Sequence, residues 1–327
     1  MNKLLLALLL FLLSFSWIKV TASDSCPAAF PWKAQWINTE RCQSATNTWL
    51  IYRKSFAVTN VPNQLIARIA ADSKYWLWIN DQLVIFEGGL KRGPSPSGTY
   101  YDPVDIAPYL TKGSNTIAIL LWHFGKDGFS HINSGKAALL FEAIAPGLEI
   151  VSDASWQCAL YEAYQNTEAP FPNYRMPESN IRFDARQAIT NWNRTSFEGF
   201  VPGAVCVGKA GKAPFGDLVE RPIPQWKNSG LLSYVSVRES LKGDTLFCRL
   251  PYNAQITPYL KVEAEAGKTI HIRMDNYEGG SERNVRAEYI TREGEQEYES
   301  YGWMNGHEVY YIIPEGVKVL DVKYRKT

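Results

Sequence analysis

Alternation of apolar and polar residues with a period near two runs through most of this chain, and no other feature restricts its fold as much. Successive side chains of a strand point to opposite faces, so the pattern fits β-structure and not helices. Runs of this kind occupy 49–56, 65–71, 75–79, 83–86, 116–123 and 137–142, separated by clusters of Gly, Pro, Asn and Asp. Asn80-Asp81-Gln82 is turn chemistry and predicts a hairpin between the runs on either side of it. After Ala145-Pro146-Gly147 the pattern loosens; 153–164 fits a short helix or an irregular turn, and 168–179 is rich in Pro and polar residues. Regular runs resume at 231–237, 245–250, 259–264, 269–274, 287–291, 296–301 and 308–313, and a last hairpin turns at Pro314-Glu315-Gly316. The reading is an all-β chain of tandem β-sandwiches, the first a jelly roll over 23–222 with an extension over about 146–222, the second over 223–327. The boundary is set near Arg221-Pro222-Ile223-Pro224, where two prolines remove ladder donors.

Residues 1–22 have the form of an export leader: Lys3, the unbroken apolar run 4–13, then the small residues of Val20-Thr21-Ala22 before the cut. The implied location is periplasmic or extracellular. That apolar run is shorter than the roughly 20 residues a spanning helix needs, and no later stretch reaches that length, so no membrane span is expected. With 34 basic against 33 acidic side chains there is no cationic excess to hold nucleic acid. Five cysteines without a Cys-x-x-Cys pair argue against a zinc or redox motif, and a Cys26–Cys42 disulfide would fit an oxidising compartment. Eleven tryptophans and eighteen tyrosines leave two readings open, sandwich cores or faces that stack on sugar rings.

Several segments resemble a known family. Trp32-Lys33-Ala34-Gln35-Trp36-Ile37 and Tyr52-Arg53-Lys54-Ser55-Phe56 resemble the opening of secreted multidomain glycoside hydrolases. Tyr75-Trp76-Leu77-Trp78-Ile79-Asn80, with Tyr101-Asp102 and the 113–118 segment, is similar to their galactose-binding-like jelly roll. Phe183-Asp184-Ala185-Arg186 before Trp192, and the tail from Tyr289 through Trp303-Met304 to Tyr324-Arg325, resemble the N-terminal, non-catalytic region of bacterial α-L-rhamnosidases, the tail matching their concanavalin-like sandwich. In that family an (α/α)6 barrel follows and carries the acids of inverting hydrolysis. No amphipathic helix set matches it here, so the resemblance implies a chain that is inactive alone, whose partners are the absent barrel and a plant or microbial rhamnose-containing glycan. It implies a fragment, a truncated gene or a stand-alone relative; the alternative function is a secreted lectin-like module.

The candidate glycan contacts lie on two loops of the jelly roll. One, 87–101, supplies Lys91, Arg92, Tyr100 and Tyr101; the other begins after Trp122 and His123. Arg and Lys fix hydroxyls while Tyr or Trp stacks, and loops on a rigid sheet are where binding residues concentrate. Glu295, Glu297 and Glu299 alternate on a strand about 6.6–6.8 Å apart, inside the roughly 6.5–9.5 Å of an inverting pair, yet such alternation is also that of any solvent-facing strand. No catalytic residue is assigned. The four histidines are not spaced as a metal set, and no cofactor is expected, although the oxygen-rich stretch 275–282 leaves calcium open.

Overall fold

The computed structural model describes residues 31–89, 98–128, 131–169, 180–199, 201–277 and 285–326. The leader and Cys26, and with Cys26 the expected disulfide, lie outside them, as do Lys91 and Arg92. In chain order the strands are β1 (Gln35–Asn38), β2 (Thr48–Val58), β3 (Ile66–Asp72), β4 (Lys74–Ile79), β5 (Gln82–Gly89), β6 (Thr99–Asp105), β7 (Gly113–His123), β8 (Ala138–Ala145), β9 (Leu148–Val151) and β10 (Gln157–Leu160). Next come β11 (Tyr164–Asn166), β12 (Ile181–Asp184), β13 (Val205–Lys209), β14 (Leu218–Glu220), β15 (Leu231–Leu232) and β16 (Ser236–Glu239). The last are β17 (Thr245–Ala264), β18 (Thr269–Met274), β19 (Ala287–Ile290), β20 (Gly294–Glu299), β21 (Met304–Ile312) and β22 (Val317–Lys326). Helix among the described residues is confined to single 3-10 turns such as Ala107–Tyr109.

The chain is all-β. Its first sandwich joins an outer sheet, β13-β1-β8-β3-β6-β14 with β9 on β8, to an inner sheet, β10-β2-β7-β4-β5. Asn80 and Asp81, at φ 47° and 69°, close β4 on β5 in the two-residue hairpin that Asn-Asp predicts. Between the sheets lies a core that includes Leu50, Tyr52, Ile69, Leu77, Ile119, Phe141 and Trp156. The inner sheet is buried on its other face as well. Trp49, Trp76, Trp78, Leu120 and Trp122 there meet Tyr164, Ile181 and Trp192. All six residues of β4 are buried, which explains why its sequence reads as a continuous aromatic run and not a clean alternation.

The second sandwich is one continuous ladder, β11-β12-β19-β18-β21-β17-β22-β15, with β16 and β20 also pairing with β17. β17 makes this possible. Its 20 residues carry an irregularity between Arg249 and Ala254; Leu246–Arg249 pair with β16, β21 pairs on both sides of the irregularity as far as Ile256, and the later part pairs with β20 and β22. A strand that changes partners at a bulge turns a corner, and the ladder closes over Cys248, Leu260, Ile272, Tyr289, Val309 and Tyr311.

The chain passes between the sandwiches earlier and more often than the prolines at 222 and 224 imply. β11 and β12 belong to the second ladder, where β12 runs parallel to β19, whereas β13 and β14 return to the first sandwich, β14 parallel to β6. The stretch 153–164 holds β10 and not a helix, because β10 completes the edge of the inner sheet beside β2. Tyr164, Ile181 and Phe183 settle the placement of the extension, since they pack on the free face of the inner sheet. Lys33–Thr327 is accordingly one compact unit.

Candidate functional site

The sequence-predicted residues fall into three groups. Lys91 and Arg92 lie outside the described residues. Tyr100 and Tyr101 sit half-buried at the start of β6, where β14 pairs Val219 with Tyr100 and Glu220 with Tyr101. Trp122 and His123 are fully buried at the end of β7, which corrects their reading as sugar contacts. The reason is packing: Trp122 stacks on Trp49 at 4.4 Å, meets Phe124 edge-on at 4.9 Å, and donates from Nε1 to Asn47 Oδ1 at 2.7 Å. No ring face is left for a ligand.

His123 belongs to a polar cluster inside the apolar one. Its Nδ1 lies 3.0 Å from Asp72 Oδ1, and His131 Nε2 lies 3.5 Å from the same oxygen. Ser134 N–H donates to Asp72 Oδ2 at 2.9 Å, and Ser73 Oγ donates to Oδ1 at 3.1 Å while accepting from Phe124 N–H at 3.0 Å. Burial pushes the Asp72 carboxyl up, but the hydrogen bonds and charges of the two imidazoles outweigh it and hold the group well below the usual carboxylate range. Beside this cluster Lys74 Nζ meets Glu87 Oε1 at 2.7 Å, both side chains wholly buried. The ammonium also lies 5.8, 5.6 and 5.4 Å from the ring centres of Trp122, Phe124 and Trp303.

A third buried charge, Asp102, follows the two tyrosines. Its Oδ2 accepts from Tyr75 Oη at 2.7 Å and from Gly89 N–H at 2.9 Å, and its Oδ1 lies 2.5 Å from Arg221 Nε. Burial, reinforced by the Asp102 charge, drives the Tyr75 hydroxyl well above its ordinary value, so it acts as a fixed donor. Thr99 N–H donates to Asp217 O at 2.8 Å. The two strand ends Glu87–Gly89 and Thr99–Asp102 are therefore tied down by buried charge and by the Thr99 backbone bond.

Sequence reading missed Asp72, Lys74, Glu87, Asp102 and Arg221 as parts of one assembly. The available signals were Lys74 heading an apolar run and Glu87 closing another; the partners are too far apart in sequence for spacing to join them. Glu295, Glu297 and Glu299 do share a strand face, but each is engaged. Lys261 lies 2.6 Å from Glu295, Tyr259 Oη donates to Glu297 at 3.0 Å, and Arg325 grips Glu299 at 2.8 and 2.9 Å. Of the stretch left open for calcium, 278–282 is outside the described residues, and Asp275 Oδ1 accepts from His307 N–H at 2.8 Å and Glu308 N–H at 3.1 Å. A groove of ≈ 550 Å³ on the second sandwich is lined by Val237, Leu246, Ile313, Val319 and Val322, with Glu239 and Asp321; none of the sequence-predicted site residues lines it. No helix among the described residues is long and apolar enough to cross a membrane.

No protein-family model and no curated protein sequence matches the chain. Solved structures do. A GH78 family rhamnosidase of Bacillus sp. GL1 aligns with a TM-score of 0.79 at 16 % identity, covering 91 % of this chain and 55 % of its own. The α-L-rhamnosidase from Dictyoglumus thermophilum aligns at 0.65 with 20 % identity, covering 89 % and 35 %, and that from Aspergillus terreus at 0.64 with 20 % identity, covering 89 % and 36 %. The chain thus spans about half or less of the length of these enzymes. Over its described residues it has the fold of the β-sandwich region of α-L-rhamnosidases.

Proposed function

We propose that this chain is a non-catalytic, carbohydrate-facing module of an exported α-L-rhamnosidase-type glycoside hydrolase, holding rhamnose-containing glycans for a helical catalytic barrel. The observation that carries the reading is the fold likeness, with a TM-score of 0.79 over 91 % of the chain. Local geometry supports it. Tyr100 and Tyr101 stand half-buried at one base of a loop whose ends are fixed by Asp102 and the Lys74–Glu87 pair, so a glycan would meet side chains already ordered. The three alternating carboxylates that come nearest to an acid pair, Glu295, Glu297 and Glu299, are each held by a cation or a hydroxyl and so do not support catalysis by this chain alone.

Calorimetric titration of the purified chain with L-rhamnose and with a rhamnose-containing pectic polymer tests the binding half of the proposal. Binding is expected to weaken about three- to tenfold in Tyr100→Ala or Tyr101→Ala, the scale of one lost aromatic contact. Absence of heat with every rhamnose-containing glycan would sink it. Rhamnose release from an aryl α-L-rhamnoside is expected to stay at background, and turnover abolished by Glu297→Gln would overturn the non-catalytic half.

A further inference from the structure

The second sandwich carries an unassigned feature on the face turned away from its core. Cys248, Val309, Tyr311, Ile272 and Met274 point inward, so strand alternation sends Phe247, Arg249, Glu308, Tyr310, His271 and Arg273 outward. The register lines four of these positions up across four strands: Arg238 of β16 pairs with Phe247 of β17, Phe247 with Tyr310 of β21, and Tyr310 with Arg273 of β18. At the usual spacing between strands this Arg-Phe-Tyr-Arg row is about 14 Å long. The Arg238 guanidinium lies 4.1 Å from the Phe247 ring centre and that of Arg273 lies 6.0 Å from the Tyr310 centre. The two rings meet edge to face at 5.2 Å. Exposed Arg249 occupies the next register position beside Phe247 and pairs across strands with Glu308.

The charges in this row are poorly matched. Among the described residues Glu308 lies 3.3 Å from Arg238, whereas neither Arg249 nor Arg273 is in an ion pair. Arg273 Nε is buried without a hydrogen-bond partner among the described residues. Around the later half of β17 the surface is built differently: Lys261, Lys318 and Lys323 lie 2.6, 3.2 and 2.7 Å from Glu295, Glu263 and Asp321, one acid to each cation. Arginine in place of lysine matters chemically, because its planar fork takes carboxylate or sulfate oxygens in pairs while lying flat on an aromatic ring. Rings flanked by arginine forks, two of which are in no ion pair among the described residues, match a saccharide chain that bears anionic groups, with its apolar C–H groups against the aromatics and the anions at the guanidinium groups.

We propose that this outer face binds an acidic polysaccharide, carboxylated or sulfated, through Arg238, Arg249 and Arg273, with Phe247 and Tyr310 as the apolar floor that holds the guanidinium groups in place. It is a separate surface from the 87–101 loop and does not depend on rhamnose recognition there.

Native affinity electrophoresis of the full chain tests this in gels containing polygalacturonate, dextran sulfate or unmodified dextran, with duplex DNA in a fourth gel. Retardation is expected with one or both anionic polysaccharides and not with dextran; which of the two retards more identifies the anion. Arg249→Ala, an exposed change that leaves the core untouched, is expected to weaken retention about tenfold, the scale of one charge-assisted contact. Arg238→Glu with Arg249→Glu should abolish it, whereas Tyr100→Ala should leave it unchanged, separating this site from the loop. Three results would overturn the proposal: no retardation by either anionic polysaccharide, wild-type retention in the charge-reversed variant at an unchanged unfolding midpoint, or equal retention by DNA.

Discussion

At the scale of single residues the chain places charge where its apolar surroundings oppose it, and each group persists because of specific partners. Asp72 shows the balance most clearly. An isolated carboxylate at that depth would become protonated, yet two imidazoles and a backbone N–H keep it ionised. Its depressed folded-state affinity for protons means that the carboxylate contributes stability fully above the unfolded aspartate value of about 3.9 and loses that contribution as pH falls below it. The gap in unfolding free energy between the wild type and Asp72→Asn is therefore expected to be widest near neutrality and to shrink on acidification below about pH 4. Denaturant titrations at several pH values measure this; a gap that is constant or widens toward acid contradicts the assignment.

At the scale of elements, the β4–β5 hairpin shows a legible turn and an illegible centre. Asn80-Asp81 announced the turn because few other residues adopt positive φ at low cost. The far end of the hairpin is irregular, with register shifts between Tyr75 and Trp78, and Glu87 stands at φ 66°. Its ion pair with Lys74 holds it there. Removing one partner strands the other, so Lys74→Met is expected to cost about 3–5 kcal/mol. The double variant Lys74→Met, Glu87→Gln should recover most of that loss, because Gln keeps the backbone conformation while removing the orphaned charge. Should the two substitutions instead add, the pair is not coupled and the hairpin end is held by packing alone.

At the scale of the whole molecule, the inner sheet of the first sandwich is shared. One face serves its own core, and the other meets the extension and the second sandwich, with Trp76 on Tyr301 at 4.6 Å and the Arg325 guanidinium 4.8 Å from the Phe86 ring centre. An aromatic contact of this kind, crossed by strands in both directions, couples the two sandwiches far more than a polar linker would. Scanning calorimetry is expected to give a single cooperative transition for the chain; two well-separated transitions would show that the sandwiches unfold independently.

The sequence by itself determined the strand content, the hairpin at 80–81 and the all-β class, because these follow from alternation and turn chemistry within a few residues. The resemblance carried the sandwich order for the same reason, resting on local motifs around Tyr75-Trp76-Leu77-Trp78 and Phe183-Asp184-Ala185-Arg186. Only the tertiary structure decided what the aromatics are for. Trp122 and Trp49 have the composition of a sugar platform and became the filling of a buried face, since a ring cannot both pack against Tyr164 or Phe124 and offer itself to a ligand. The Arg238–Phe247–Tyr310–Arg273 row lay hidden for the complementary reason: its members come from four strands, and nothing in a linear sequence specifies the register that aligns them.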